Sequence, residues 1–196
     1  MKPAGVFFVI HPFFVSAGIV ALAEMGDKTQ LLALLLTTQF RRPMPIILGI
    51  LVATLFNHAF AGAIGQWLAS VISPSVLRWI LGLSFIAMAV WILIPDKLDD
   101  DASTRSQAGV FAATLIAFFL AEMGDKTQVA TVALAAQYQS LVWVVLGTTA
   151  GMMLANVPVV IFGEWLTKRI PVRKLHIVCA VVFAVLGVLA LLNVVT

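Results

Sequence analysis

The chain consists of long apolar stretches separated by short polar or proline-containing junctions. Each stretch is at least as long as the roughly 20 helical residues that cross the hydrocarbon core of a bilayer. Proline, which stops helices, occurs near most of the junctions. The pattern predicts an all-α integral membrane protein with six transmembrane helices, at residues 12–40, 45–69, 75–94, 108–137, 140–167 and 173–195.

One eight-residue sequence occurs twice. Ala-Glu-Met-Gly-Asp-Lys-Thr-Gln stands at 23–30 and again, letter for letter, at 121–128. The two copies are 98 positions apart, which is half of the 196 residues. At the same offset Gly49 corresponds to Gly147. The duplication therefore extends beyond the motif, and the chain is predicted to contain two repeats of three spans each.

We place the first repeat at 1–95 and the second at 108–196, joined by an acidic cytoplasmic linker at 96–107, within a single membrane domain. Because three is an odd number of spans, the second repeat must enter the membrane from the opposite side. The predicted fold is therefore two inverted-topology three-helix repeats, a layout common among secondary transporters.

The composition agrees with a membrane protein and indicates its orientation. Hydrophobic residues make up 62% of the chain and charged residues 11%, against about 25% charged in soluble domains. The net charge of +3 is not gathered into a basic patch with aromatics, so we expect the lipid bilayer and no nucleic acid as partner. By the positive-inside rule both termini lie outside, because eight loop Lys and Arg fall on the other side: Arg41, Arg42, Lys97, Arg105, Lys168, Arg169, Arg173 and Lys174.

The duplicated motif places ionisable side chains deep in the predicted membrane. Such residues cost about 2.5–3.5 kcal/mol each on insertion scales and usually mark function. On a continuous helix Asp27 and Lys28 would lie within about 60° of Glu24 and share its face. Thr29 would point elsewhere, with its hydroxyl bonded to a carbonyl of its own helix. Gly26 is a weak helix former, and a helix break there is a further hypothesis.

If the first and fourth spans cross, the acids of both motifs meet at one site. Their charge of −4 is reduced to −2 by the two lysines, and one divalent cation or two protons would neutralise the rest. This balance suggests exchange of a divalent cation for protons. Oxygen donors without Cys or His suit Ca²⁺, Mn²⁺ or Mg²⁺, with no choice among them. The candidate ligands are Glu24, Asp27, Gln30, Glu122, Asp125 and Gln128.

Three other interpretations of the motif are weaker. A purely structural Glu24–Lys28 ion pair would leave Asp27 unpaired in the bilayer, which is costly. A divalent-cation channel could use the same acids as a selectivity site, and uphill transport would distinguish it. An enzyme is not expected, because no motif such as His-Glu-x-x-His or Gly-x-Ser-x-Gly occurs. No cofactor is predicted.

Two copies of Glu-x-Gly-Asp-Lys/Arg-Thr/Ser over six predicted spans resemble the small cation/proton antiporters of the second calcium:cation antiporter group, over the whole chain. The resemblance implies Mn²⁺, and in some members Ca²⁺, moved against protons by the acids of both motifs. The short chain looks most like the bacterial members that export Mn²⁺ across the cytoplasmic membrane. Lys28 and Lys126 would then tune or gate the acids, together with Thr29 and Thr127. A homodimer is compatible with this size but has no sequence signature.

The roles of two polar residues in the second span are left open. Asn57 and His58 could extend the cation site or relay protons. Hydrogen bonding between helices is the interpretation that we favour slightly. His58 corresponds to Asn156 in the second repeat.

Overall fold

The structure is a computed structural model that describes residues 4–91, 93, 109–163 and 172–192. All regular secondary structure in these ranges is α-helical. The eight helices are α1 Ala4–Glu24, α2 Lys28–Phe40, α3 Pro43–Val71, α4 Pro74–Trp91, α5 Val110–Glu122, α6 Lys126–Tyr138, α7 Leu141–Phe162 and α8 Val172–Leu191. The predicted linker 96–107 lies outside the described residues.

The first and fourth predicted spans are each two helices. α1 ends at Glu24 and α2 begins at Lys28, while α5 ends at Glu122 and α6 begins at Lys126. Gly26 and Gly124 lie in the breaks with φ of 85° and 74°, which is the left-handed region that favours glycine. The continuous helix assumed for the shared-face argument is therefore wrong. The break at Gly26 that the sequence suggested is present, and it occurs in both repeats.

Within the described residues, three helices are long and apolar enough to cross a membrane by themselves: α3, α4 and α7. Shorter apolar helices run over His11–Glu24, Val110–Glu122 and Ala180–Leu191. The breaks leave α2, α5 and α6 with 13 residues each, which is shorter than the roughly 20 residues that cross a bilayer. A helical membrane protein is the fold that these helices support.

The two halves of the chain pack into each other. α1 packs along α7 so closely that a Cβ atom on Gly147 would clash with the Phe13 carbonyl oxygen. One turn later Gly151 contacts Ala17, so α1 and α7 run in the same direction. The equivalent pair is α5 on α3, where a Cβ atom on Gly49 would lie 2.7 Å from the Thr114 side chain. Each broken span therefore packs on an unbroken span of the other half through glycine contacts.

α3 and α7 run antiparallel to each other. Near the carboxyl end of α3, Gly62 contacts Leu141 and Val145 at the start of α7. Near the start of α3, Ile46 belongs to the same buried apolar cluster as Val159 near the end of α7. This crossing at the centre of the molecule brings the ends of α1 and α5 toward each other.

Candidate metal centre

The helix breaks place four carboxylates in the interior. Glu24 and Glu122 are the last residues of α1 and α5, while Asp27 and Asp125 are the N-cap residues of α2 and α6. Both glutamates are 0% exposed and both aspartates 3%. All four acids predicted from the motif are therefore buried, where a carboxylate requires a counter-charge or hydrogen bonds.

Three of these acids form one cluster. Glu24, Glu122 and Asp125 each offer a carboxylate oxygen, and these oxygens lie within 4.8 Å of one another. Glu24 Oε1, Glu122 Oε1 and Asp125 Oδ2 are buried and accept no hydrogen bond. Closely spaced carboxylate oxygens without donors suit a hard cation. The cluster combines residues from both halves, as the sequence predicted, but Asp27 is not part of it.

The lysines pair with the aspartates of the opposite motif. Lys28 Nζ lies 3.0 Å from Asp125 Oδ1, and Lys126 Nζ lies 4.0 Å from Asp27 Oδ1. The two residues of each pair belong to different halves of the chain, so the pairs hold the halves together. The alternative of a Glu24–Lys28 pair along one helix fails, because the break at Gly26 ends that helix before Lys28. For the same reason Glu24, Asp27 and Lys28 do not share a helix face.

Each threonine of the motif holds the glutamate of its own copy. Thr29 Oγ1 donates to Glu24 Oε2 at 2.5 Å, and Thr127 Oγ1 donates to Glu122 Oε2 at 3.1 Å. The prediction that Thr29 points away and bonds a helix carbonyl is wrong, since the break turns α2 relative to α1. The hydrogen bond fixes one glutamate oxygen and leaves the other, Oε1, for the cluster.

The glutamine side chains brace the breaks. Gln30 Oε1 accepts from the Gly26 N–H at 2.8 Å, and Gln128 Oε1 accepts from the Gly124 N–H at 2.7 Å. Gln30 Nε2 also donates to the Ala155 carbonyl on α7 at 2.8 Å. Their amide oxygens are thus already hydrogen-bonded, and their role as ligands stays a prediction. Stabilisation of the break is a role that the sequence argument missed, and the four-residue spacing after a glycine was its only signal.

Comparison of the sequence with known proteins identifies a family. The sequence profile of the family described as "Divalent cation/proton antiporter GDT1" matches the chain over residues 12–100 and again over 110–196. The chain belongs to this family. The resemblance inferred from the twin motif is therefore confirmed, and the family is one of membrane transporters rather than enzymes.

Individual relatives extend the comparison. A protein of Vibrio cholerae serotype O1 named "Putative manganese exporter" is 49% identical over 188 residues, covering 95% of this chain and 94% of that protein. "GDT1-like protein 3" of Oryza sativa subsp. indica is 26% identical over 87% of this chain and 70% of its own length. "GDT1-like protein 5" of Arabidopsis thaliana is 24% identical over 94% and 97%. No solved structure is significantly similar to the chain.

Asn57 and His58 have different surroundings in this antiporter-family protein. Asn57 Nδ2 donates to the Phe119 carbonyl oxygen on α5 at 3.1 Å, so the favoured interpretation, a hydrogen bond between helices, is confirmed for Asn57. His58 is 0% exposed, and neither ring nitrogen has a hydrogen-bond partner. Interhelical hydrogen bonding does not describe His58.

Proposed function

We propose that the protein exports Mn²⁺ from the cytoplasm in exchange for protons, through the cluster of Glu24, Glu122 and Asp125. The observation that carries this proposal is the set of three buried carboxylates, drawn from both halves, each with one oxygen that accepts no hydrogen bond. Family membership supports a divalent cation and protons as substrates. The name of the Vibrio cholerae relative supports manganese and the export direction.

The charges around the cluster favour exchange of Mn²⁺ for protons over uncoupled flux of either ion. Four buried carboxylates and two lysines pairing with them leave a formal charge of −2. A buried charge without compensation costs several kcal/mol. One Mn²⁺ or two protons would remove that cost, whereas both together would leave an excess of positive charge. The site therefore becomes accessible from the opposite side of the membrane most readily when it holds either one Mn²⁺ or two protons, which couples the two fluxes.

The donor set restricts the cation to the hard divalent ions. The clustered ligands are carboxylate oxygens, which suit Mn²⁺, Ca²⁺ and Mg²⁺. Mg²⁺ demands near-ideal octahedral geometry and releases its water reluctantly, so a site with three protein ligands favours the other two. Mn²⁺ is the ion for which a relative of high identity is named, and Ca²⁺ is the expected competitor.

The direction of the helices supports the inverted arrangement of the repeats. The first broken span runs parallel to α7, and the second runs parallel to α3, as their glycine contacts indicate. Since α3 and α7 are antiparallel, the two broken spans run in opposite directions. Rocking of one repeat against the other around a fixed midplane site is the transport motion that this arrangement favours.

Transport into proteoliposomes with an acidic lumen tests the proposal. Mn²⁺ should accumulate above its external concentration as protons leave, and Glu122→Gln should abolish the uptake while the protein remains folded. Asp99→Asn, which removes the same charge from the predicted linker, is the matched control and should transport normally. Downhill flux without accumulation would favour the channel, and unimpaired uptake by the Glu122 variant would reject the site.

A further inference from the structure

A short polar strip lies between α3 and α7, outside the carboxylate cluster. His58 on α3 and Thr149 on α7 are buried, with relative exposures of 0% and 5%, and Thr54 is also 0% exposed. Neither nitrogen of His58 and neither threonine hydroxyl has a hydrogen-bond partner. Each such group costs about 1–3 kcal/mol when it stays unsatisfied. These costs are unexplained by packing alone, and they suggest a role that involves water or protons.

The helix register places His58 opposite Thr149. Gly62 on α3 contacts Val145 on α7. His58 lies one turn before Gly62 on the same face, and Thr149 lies one turn after Val145 on its face. Because the two helices are antiparallel, these steps bring His58 and Thr149 to the same level, facing each other.

The strip also lies close to the level of the cluster. Asn57, the neighbour of His58, bonds the Phe119 carbonyl, and Phe119 is one turn before Glu122 on α5. From Thr54 to His58 the chain advances about 6 Å along α3, at 1.5 Å per residue. In the predicted orientation this is the direction of the extracytoplasmic side.

The strip has no counterpart at the positions related to it by the repeat. The positions that correspond to Thr54, His58 and Thr149 at the repeat offset are Met152, Asn156 and Leu51. The motifs themselves are identical and cannot distinguish the two sides of the membrane. A transporter that takes protons from one side requires such a distinction. The difference between His58 and Asn156 provides one, because the two ring nitrogens of a histidine can exchange the roles of donor and acceptor, whereas an asparagine amide cannot.

We propose that His58, with the hydroxyls of Thr149 and Thr54, relays protons between the extracytoplasmic side and the carboxylate cluster. A proton binds one ring nitrogen as the proton on the other nitrogen leaves toward a carboxylate, so the imidazole stays neutral overall. Rotation of the ring restores the starting tautomer. This inference rests on the proposed exchange of Mn²⁺ for protons, and it separates the proton route from the cation ligands.

The surroundings of His58 contain no competing charge at contact distance. Among the described residues, none forms an ion pair or hydrogen bond with the ring. α7, which faces it, has no titratable side chain. The titratable residues on the other helices packed against α3 are Lys28, Arg78, Glu122, Lys126 and Tyr138.

Two flux measurements on the same proteoliposomes test the relay. The first is Mn²⁺ uptake driven by an acidic lumen, and the second is exchange of radioactive for unlabelled Mn²⁺ at equal pH, which needs no net proton movement. For His58→Gln and His58→Leu we expect the driven uptake to fall by about tenfold or more, as for loss of a proton-transferring group. Mn²⁺/Mn²⁺ exchange should fall much less. Thr149→Val should change the same ratio in the same direction, by a smaller factor.

Asn57→Leu is the matched control, since it removes a neighbouring hydrogen bond between helices and should lower both fluxes by similar factors. Equal loss of both fluxes in both His58 variants would assign the ring a structural role and overturn the relay. Unchanged driven uptake in those variants would overturn it as well. A wild-type protein that exchanges Mn²⁺ but ignores the pH gradient would instead reject the proposed function, and the relay with it.

Discussion

At the scale of single residues, neighbouring side chains of the motif have different roles. The glutamate supplies one oxygen to the cluster, and the threonine two residues into the next helix holds its other oxygen. The lysine reaches across to the aspartate of the other half. The glutamates, the threonines and Lys28 therefore either contribute to the candidate cation site or fix a residue that does.

The threonine hydrogen bonds lead to a prediction about affinity. Thr127→Val removes the donor to Glu122 Oε2 and frees the carboxylate to rotate away from the cluster. We expect the KM for Mn²⁺ to rise by about 3- to 10-fold, which corresponds to the roughly 1 kcal/mol of a typical hydrogen bond. Thr127→Ser should restore the wild-type value. Thr38→Val, which removes an exposed hydroxyl bonded to Leu35, should leave KM unchanged.

The crossed ion pairs can be detected by a double-mutant cycle. Lys28→Met and Asp125→Asn should be coupled by about 0.5–3 kcal/mol in unfolding of the detergent-solubilised protein, as for residues in direct contact. Lys28→Met and Glu24→Gln should show clearly weaker coupling, because Lys28 pairs with Asp125 across the two halves. Stronger coupling of Lys28 to Glu24 would instead support an ion pair between these two residues along one helix, which the structure contradicts.

At the scale of helices, the breaks at Gly26 and Gly124 create the site. They end α1 and α5 at a glutamate and start α2 and α6 after an aspartate, which buries four acids and brings three of them, Glu24, Glu122 and Asp125, into one cluster. The positive φ at both glycines makes glycine the residue of choice there. Gln30 and Gln128 satisfy the N–H groups that the breaks expose.

Substitution of the break glycine tests this role of the backbone. A Cβ atom on Gly124 would meet no atom within 4 Å, so Gly124→Ala strains only its φ of 74°, at a cost of about 1–2 kcal/mol. We expect lower thermal stability and at least a severalfold loss of Mn²⁺ transport. Gly18→Ala also meets no atom within 4 Å but lies within α1, where alanine is favoured over glycine by about 1 kcal/mol. That variant should be as stable as wild type or more so, with full transport.

The sequence predicted which residues lie at the candidate site better than it predicted how they are arranged. Hydropathy located the apolar segments, and duplication indicated that Glu24 and Glu122 meet, because those arguments need only composition and symmetry. The partner of Thr29 was predicted wrongly, and the pairing of Lys28 with Asp125 was not predicted, since both depend on where a helix ends. A glycine inside an apolar run signals such an end only weakly, because tertiary contacts such as Gln30 with Ala155 decide it.

At the scale of the whole molecule, contacts between residues of different halves hold the two halves together. Each broken span packs on the unbroken helix of the other half, the ion pairs cross between halves, and the carboxylate cluster needs both. Neither half has a complete site or a complete core alone. The relative movement of the halves that we propose for transport must therefore keep Glu24 close to Glu122 and Asp125, or bring them together again.

The inverted arrangement makes a direct prediction about the two short turns after the broken spans. Arg41 and Gln139 are repeat equivalents, and both end their helices in the left-handed region, with φ of 53° and 48°. The residues that follow them, Arg42 and Ser140, should lie on opposite faces of the membrane if the broken spans run in opposite directions. In a Cys179→Ala background, Arg42→Cys should react with a membrane-impermeant maleimide only from the cytoplasmic side, and Ser140→Cys only from the outside. Labelling of both from one side would reject the inverted topology, and reversed labelling would keep the topology but place both termini in the cytoplasm.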